Sequence, residues 1–162
     1  VVGPLHKSDI GGVILNVKTE VEVLENFDKL MRLKEAKAVR VQPMQKGIEL
    51  FIGAKKEDNY PPIILCGLGG IFVEVLKDIQ VGMIPISKKE ALRMIENLKA
   101  FPILQGIRGQ EGISINSFAE NILKVAALME ITPEIAELDI NPLIAKANEI
   151  VAVDVRIRIE KG

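Results

Sequence analysis

The chain has 162 residues with 21 basic and 22 acidic side chains, 48% of them apolar, enough for one domain or two small lobes around a real core and too apolar for a disordered tail. A net charge of -1 excludes the strong basic field of non-specific nucleic-acid binders, and with no tryptophan there is little on which exposed bases could stack. No apolar run reaches the roughly 20 residues that cross a bilayer, no charged leader with a long apolar stretch opens the sequence, and the single Cys66 supports no disulfide framework, so no membrane and a cytoplasmic location are expected.

The first 13 residues are turn-rich, with Gly3-Pro4, Ser8-Asp9 and Gly11-Gly12. Val13 to Lys18 alternates apolar and polar residues and reads as a strand. Val23, Phe27, Leu30 and Met31 follow at helical spacing. Ala38 to Gln42 and Glu49 to Ala54 read as strands around the turn Gln45-Lys46-Gly47. The wholly apolar run Pro62 to Cys66 suggests a buried strand that leads into Gly67-Leu68-Gly69-Gly70 and a helix-compatible Val73 to Lys77. Strand, glycines and helix start is an order that aims backbone N–H groups at anions, although a tight turn needs the same glycines.

Ser87 with Glu90 and Ser117 with Glu120 fit the S-x-x-E capping box and predict two helix starts. The second helix would carry Phe118, Ile122, Val125 and Met129 as a core-facing stripe. The chain closes with strands over Ile135 to Asn141 and Glu149 to Ile159, joined through Pro142 to Asn148 as an antiparallel hairpin with a longer loop. The mixture is α+β, without a regular βαβ rhythm.

Side-chain alternation in the last two strands puts Glu137, Asp139 and Asn141 on one face, and Asp154, Arg156 and Arg158 together on one face of the next. Pairing these strands would bring Asp139, Asn141 and Asp154 within reach of one another. Converging carboxylate and amide oxygens suit a hard divalent cation such as magnesium. A solvated strand face whose acids pair with Arg156 and Arg158 accounts for the same spacing.

Four motifs carry a resemblance. Glu137-Leu138-Asp139-Ile140-Asn141-Pro142-Leu143 and Ala152-Val153-Asp154-Val155-Arg156-Ile157 resemble the end of the ATP-grasp domain of the nucleoside-diphosphate-forming acyl-CoA synthetases. These include ADP-forming acetyl-CoA synthetase and, more distantly, the β subunit of succinyl-CoA synthetase. Leu5-His6-Lys7-Ser8-Asp9-Ile10-Gly11-Gly12-Val13 is similar to that family's histidine loop. The stretch from Gly67 through Glu74 to Asp78 is similar to its glycine motif, and Val41-Gln42-Pro43-Met44 to the strand linking its lobes.

The resemblance implies an ATP-grasp fold over residues 1–162 that lacks part of its first lobe, the part that carries a phosphate-binding lysine. It implies ATP/ADP and Mg2+ as cofactors, with Asp139, Asn141 and Asp154 as metal ligands. His6 would take up phosphate transiently. From the residues themselves, Glu74 could orient a histidine or a cation or lie on a solvated helix face, and Arg108 could clamp a phosphate or an acyl-phosphate carboxylate or be ordinary loop charge. Gln42, Pro43 and Met44, with Glu49, would line the adenine pocket, and Gly69 and Gly70 would meet phosphate. An acid–CoA ligase (ADP-forming) is then expected, handling nucleotide and phosphate itself. A CoA-binding α subunit or fused domain would bring acyl-CoA, in a hetero-oligomer. The alternative is a non-catalytic ATP-grasp-like interaction or regulatory module of a larger protein.

Overall fold

The computed structural model describes residues 1–2, 10–70, 73, 77–107, 109 and 111–160. It divides the chain into two units, Val1–Gln45 and Lys46–Gly162.

In the first unit the helical spacing becomes α1, Glu20–Met31. Thr19 caps it: its hydroxyl accepts from the Glu22 N–H at 3.2 Å, and the Glu22 carboxylate accepts from the Thr19 N–H at 3.2 Å. Only Leu30 of this helix is buried. Neither strand expected here forms. Residues 13–18 are irregular, and Ala38 makes a single bridge, to Val2. A strand persists only where a neighbour takes up its N–H and C=O groups. Among the described residues of this unit, Val2 does so alone, accepting from Lys37 N–H at 2.9 Å and donating to Ala38 C=O at 2.7 Å. Gln45-Lys46-Gly47 therefore joins no hairpin.

The second unit is a six-stranded antiparallel sheet among the described residues, backed by helices. Its strands are β1 (Ile48–Glu57), β2 (Tyr60–Leu68), β3 (Ile79–Met83), β4 (Ile135–Lys146), β5 (Glu149–Ala152) and β6 (Val155–Ile159). The order is β3-β2-β1-β4-β5, with β6 also on β4. Its helices are α2 (Lys88–Glu96), α3 (Phe101–Gln105) and α4 (Ile115–Ile131).

The register explains the core. Leu50, Ile52 and Ala54 of β1 sit opposite Leu68, Cys66 and Ile64 of β2. On the other side they meet Leu143, Ile140 and Leu138 of β4. This apolar face packs with Phe118, Ile122, Val125 and Met129 of α4 and with Ala91 and Ile95 of α2. Cys66 lies inside that layer, where burial first and the nearby Asp78 charge second push its thiol up to about 12, so it stays protonated and inert.

Ser87 caps α2 through the anticipated box, its hydroxyl accepting from the Glu90 N–H at 3.3 Å while the Glu90 carboxylate accepts from the Ser87 N–H at 2.9 Å. The second helix starts earlier than expected. Ser114, not Ser117, is the cap, and its hydroxyl accepts from the Ser117 N–H at 3.1 Å. Ser114 has the extended backbone that a cap requires, and the apolar pattern already begins at Ile115.

The closing hairpin is also tighter than expected. β4 continues to Lys146, which pairs with Glu149, so Ala147-Asn148 alone make the turn. The second arm breaks at Val153-Asp154 into β5 and β6. As for the helix anticipated over Val73 to Lys77, Val73 is helical, Lys77 is not, and residues 74–76 lie outside the described ones.

Ser114→Ala should cost about 1 kcal/mol in urea unfolding, the usual loss of a cap, and Ser117→Ala distinctly less. Equal losses at the two positions would show that the helix begins elsewhere.

Candidate functional site

The site is set by a change of phase in β4. Leu50 pairs with Leu143 and Ile52 with Ile140, so two steps along β1 match three along β4. That extra residue is a bulge. It lets Leu138 and Ile140 face the core before it and Leu143 and Ala145 after it. Asn141 and Pro142, joined by a cis peptide, occupy the step itself.

There the Asn141 side chain meets the glycine turn. Its Oδ1 accepts from the Gly70 N–H at 3.3 Å. The Gly69 N–H donates to the Glu49 carbonyl at 2.7 Å. The chain leaving β2 is thus held by β1 and by β4 at once. No side chain fits. A Cβ at Gly69 would lie 2.7 Å from the Leu50 carbonyl oxygen, and one at Gly70, whose φ is +58°, would run into the Glu49 carboxylate.

Asp154 stands across from Asn141, its carbonyl accepting from the Asn141 N–H at 3.1 Å. Asp139 is half-buried and pairs with Arg156 of β6. Burial, the largest effect, raises the Asp139 carboxyl above the ordinary aspartate range; Asp154 and Glu137 add to the rise, and Arg156 opposes it. Glu137 itself pairs with Arg158 at 3.3 Å. The arginines therefore balance part of the acidic face without neutralising Asp139.

The donor set fits a hard cation in its chemistry: two carboxylates and an amide oxygen. Among the described residues, no three His, Cys, Asp or Glu side chains form a metal cage by themselves. Such a set suits a cation that takes its remaining oxygens from water and phosphate.

The remaining expected residues are dispersed. Gln42, Pro43 and Met44 are exposed in the first unit. Gln42 and Met44, with Asn16, Asn26, Phe27 and Arg40, line a cavity of about 170 Å³ within that unit. Glu49 belongs to the second unit, beside Gly70. His6, Glu74 and Arg108 lie outside the described residues. Asn16, Asn26 and Arg40 went unread in the sequence, where nothing in their spacing marks them as neighbours.

The model of the ATP-grasp domain family matches residues 3–159. The chain belongs to the ATP-grasp family. This ATP-grasp chain is 40% identical over 163 residues to the β subunit of acetate–CoA ligase [ADP-forming] I of Pyrococcus furiosus, with 94% of this chain matched to 69% of that one. It is 38% identical to acetate–CoA ligase [ADP-forming] II of Archaeoglobus fulgidus, where 94% of this chain corresponds to 23% of the relative. Among solved structures, it is similar to acetyl-coenzyme A synthetase 1 of Ca. Korarchaeum cryptofilum, at 34% identity and a TM-score of 0.83, covering 99% of this chain and 74% of that one. That structure is a complex with coenzyme A and Mg-AMPPCP, its phosphohistidine segment pointing towards the nucleotide-binding site. The fold of this chain is therefore an ATP-grasp fold of α+β class. Among the described residues no helix is long and apolar enough to cross a membrane.

A carboxyl that binds its proton more tightly when folded stabilises the protein at low pH, and that contribution is lost as pH rises through the folded midpoint. Asp139 should accordingly titrate above 3.8 by carbon-detected NMR in metal-free protein. Asp139→Asn should match the wild type in stability well below pH 3.8 and gain on it as pH rises. A midpoint at or below 3.8 would contradict the arrangement of charges described here.

Proposed function

We propose that the chain is the nucleotide-binding part of an acid–CoA ligase (ADP-forming), within an ATP-grasp domain that includes residues 1–162. The observation that carries this reading is the junction of Gly69-Gly70 with Asn141, 71 residues apart in sequence. It joins two of the motifs on which the likeness to the acetate–CoA ligases rests.

In this reading the Gly69-Gly70 turn, its amides tied to Glu49 and Asn141, lets phosphoryl oxygens come close to a backbone without side chains, and Gln42, Pro43 and Met44 hold the adenine, with Glu49 at the edge of the turn. Asp139, Asn141 and Asp154 would hold Mg2+, which supplies charge neutralisation for phosphoryl transfer. His6 is the phosphoryl acceptor: a neutral imidazole nitrogen attacks the γ-phosphorus as the bond to the ADP oxygen breaks. Glu74 orients that imidazole and Arg108 clamps a phosphoryl or carboxylate group. A CoA-binding α subunit or fused domain carries the acyl chemistry, in a cytoplasmic hetero-oligomer.

With its CoA-binding partner and Mg-ATP, the protein should gain an acid-labile, base-stable phosphate that peptide mapping places at His6. His6→Ala should abolish turnover, and Asn141→Ala should weaken Mg-ATP binding at least tenfold in isothermal titration. Label confined to the partner would take His6 out of the mechanism. Absence of any Mg-ATP binding by the wild type would favour the non-catalytic module.

A further inference from the structure

Asp78 is the one buried polar or charged side chain among the described residues, 6% exposed. Its carboxylate grips two consecutive amides far along the chain. One oxygen accepts from the Lys99 N–H at 3.0 Å and the other from the Ala100 N–H at 2.8 Å. Ala100 precedes the first residue of α3, and no side chain of its own caps that helix. Burying a carboxylate is costly, and two backbone donors are the kind of compensation that makes it tolerable.

The main chain of Asp78 has a second attachment. Lys77 has a φ of +48°, and the Ile79 N–H donates to the Lys77 carbonyl at 3.1 Å, a three-residue turn centred on Asp78. Ile79 pairs with Gly67 of β2. A Cβ at Gly67 would come within 2.6 Å of the Asp78 carbonyl oxygen, so the two backbones touch. Gly69 is two residues further on.

We propose that Asp78 is a positioning residue for the Gly69-Gly70 turn: its carboxylate anchors to the Lys99 and Ala100 amides while its backbone abuts Gly67, fixing where β2 ends and how the two glycine amides meet Glu49 and Asn141. The inference deepens the proposed nucleotide site, to which this turn contributes. Asp78 acts through Gly67, against which its carbonyl lies.

Amide hydrogen exchange, read without nucleotide, tests it directly, because the Gly69 and Gly70 amides are both bonded. Asp78→Ala removes both anchors. Asp78→Asn keeps the shape but turns an amide N–H₂ towards one of the two donors, and serves if the alanine variant does not fold. Ser114→Ala, which loosens a helix cap elsewhere, is the control for general loss of stability. Exchange at Gly69 and Gly70 should rise at least tenfold in the Asp78 variants and stay near wild type in the control. Faster exchange at Lys99 and Ala100 alone would reduce Asp78 to a local cap and overturn the proposal, as would a uniform rise in all three variants. Failure of the wild type to bind Mg-ATP would count against the proposed function and leave the exchange result standing.

Discussion

A twelve-residue strand running through the middle of a sheet must keep its apolar side chains on the helix side from end to end. β4 meets that constraint with a fault in its phase. The extra residue between Ile140 and Leu143 resets the alternation, and both halves of the strand bury their aliphatic side chains against β1. The reset falls where β2 ends on the other side of β1, so Asn141 lies within bonding distance of Gly70. The packing layer and the polar site are thus two outcomes of one backbone irregularity.

The opposite face of the sheet has a different character. A single row crosses five strands, from Val81 through Leu65 and Gly53 to Asp139 and Arg156. Apolar groups occupy one end of the row and charged groups the other. Val81 is exposed and Leu65 half-buried, whereas Asp139 is hemmed in enough for its charge to be disfavoured. At the acidic end burial disfavours the Asp139 charge most, Asp154 and Glu137 add to that, and Arg156 opposes it.

Much of this was legible in the residues, and what was not has identifiable physical reasons. Period-two alternation and the Ser87-Glu90 pair located their elements because each signal is local. The strands expected over 13–18 and 38–42 failed because alternation states only what a segment could bury, not whether a neighbour is there to pair with it. The Ser117 cap was misplaced by three residues because Ser114 caps with its hydroxyl alone, without an S-x-x-E pair, and the helix takes the earlier start. Asp139, Asn141 and Asp154 were placed on common faces by parity, but parity does not foresee a bulge. The approach of Asn141 to Gly70 depends on that bulge. Asp78 was quoted within a motif without a role, since burial of a carboxylate is decided by segments 21 residues away.

The order of the strands also dictates how the sheet can be assembled. Glu57 pairs with Tyr60 and Lys146 with Glu149, so two hairpins can close over two-residue turns at little entropic cost. The seam between them is another matter. Lys55 meets Glu137 and Ile48 meets Ala145, contacts that span most of the second unit. Everything from β2 through α4 must be gathered into the closing loop before that ladder forms. Pairings so distant in sequence weigh heavily on folding rate. The helical layer, whose α4 touches β1 and β2 of one hairpin and β5 of the other, is the natural template on which the two halves meet.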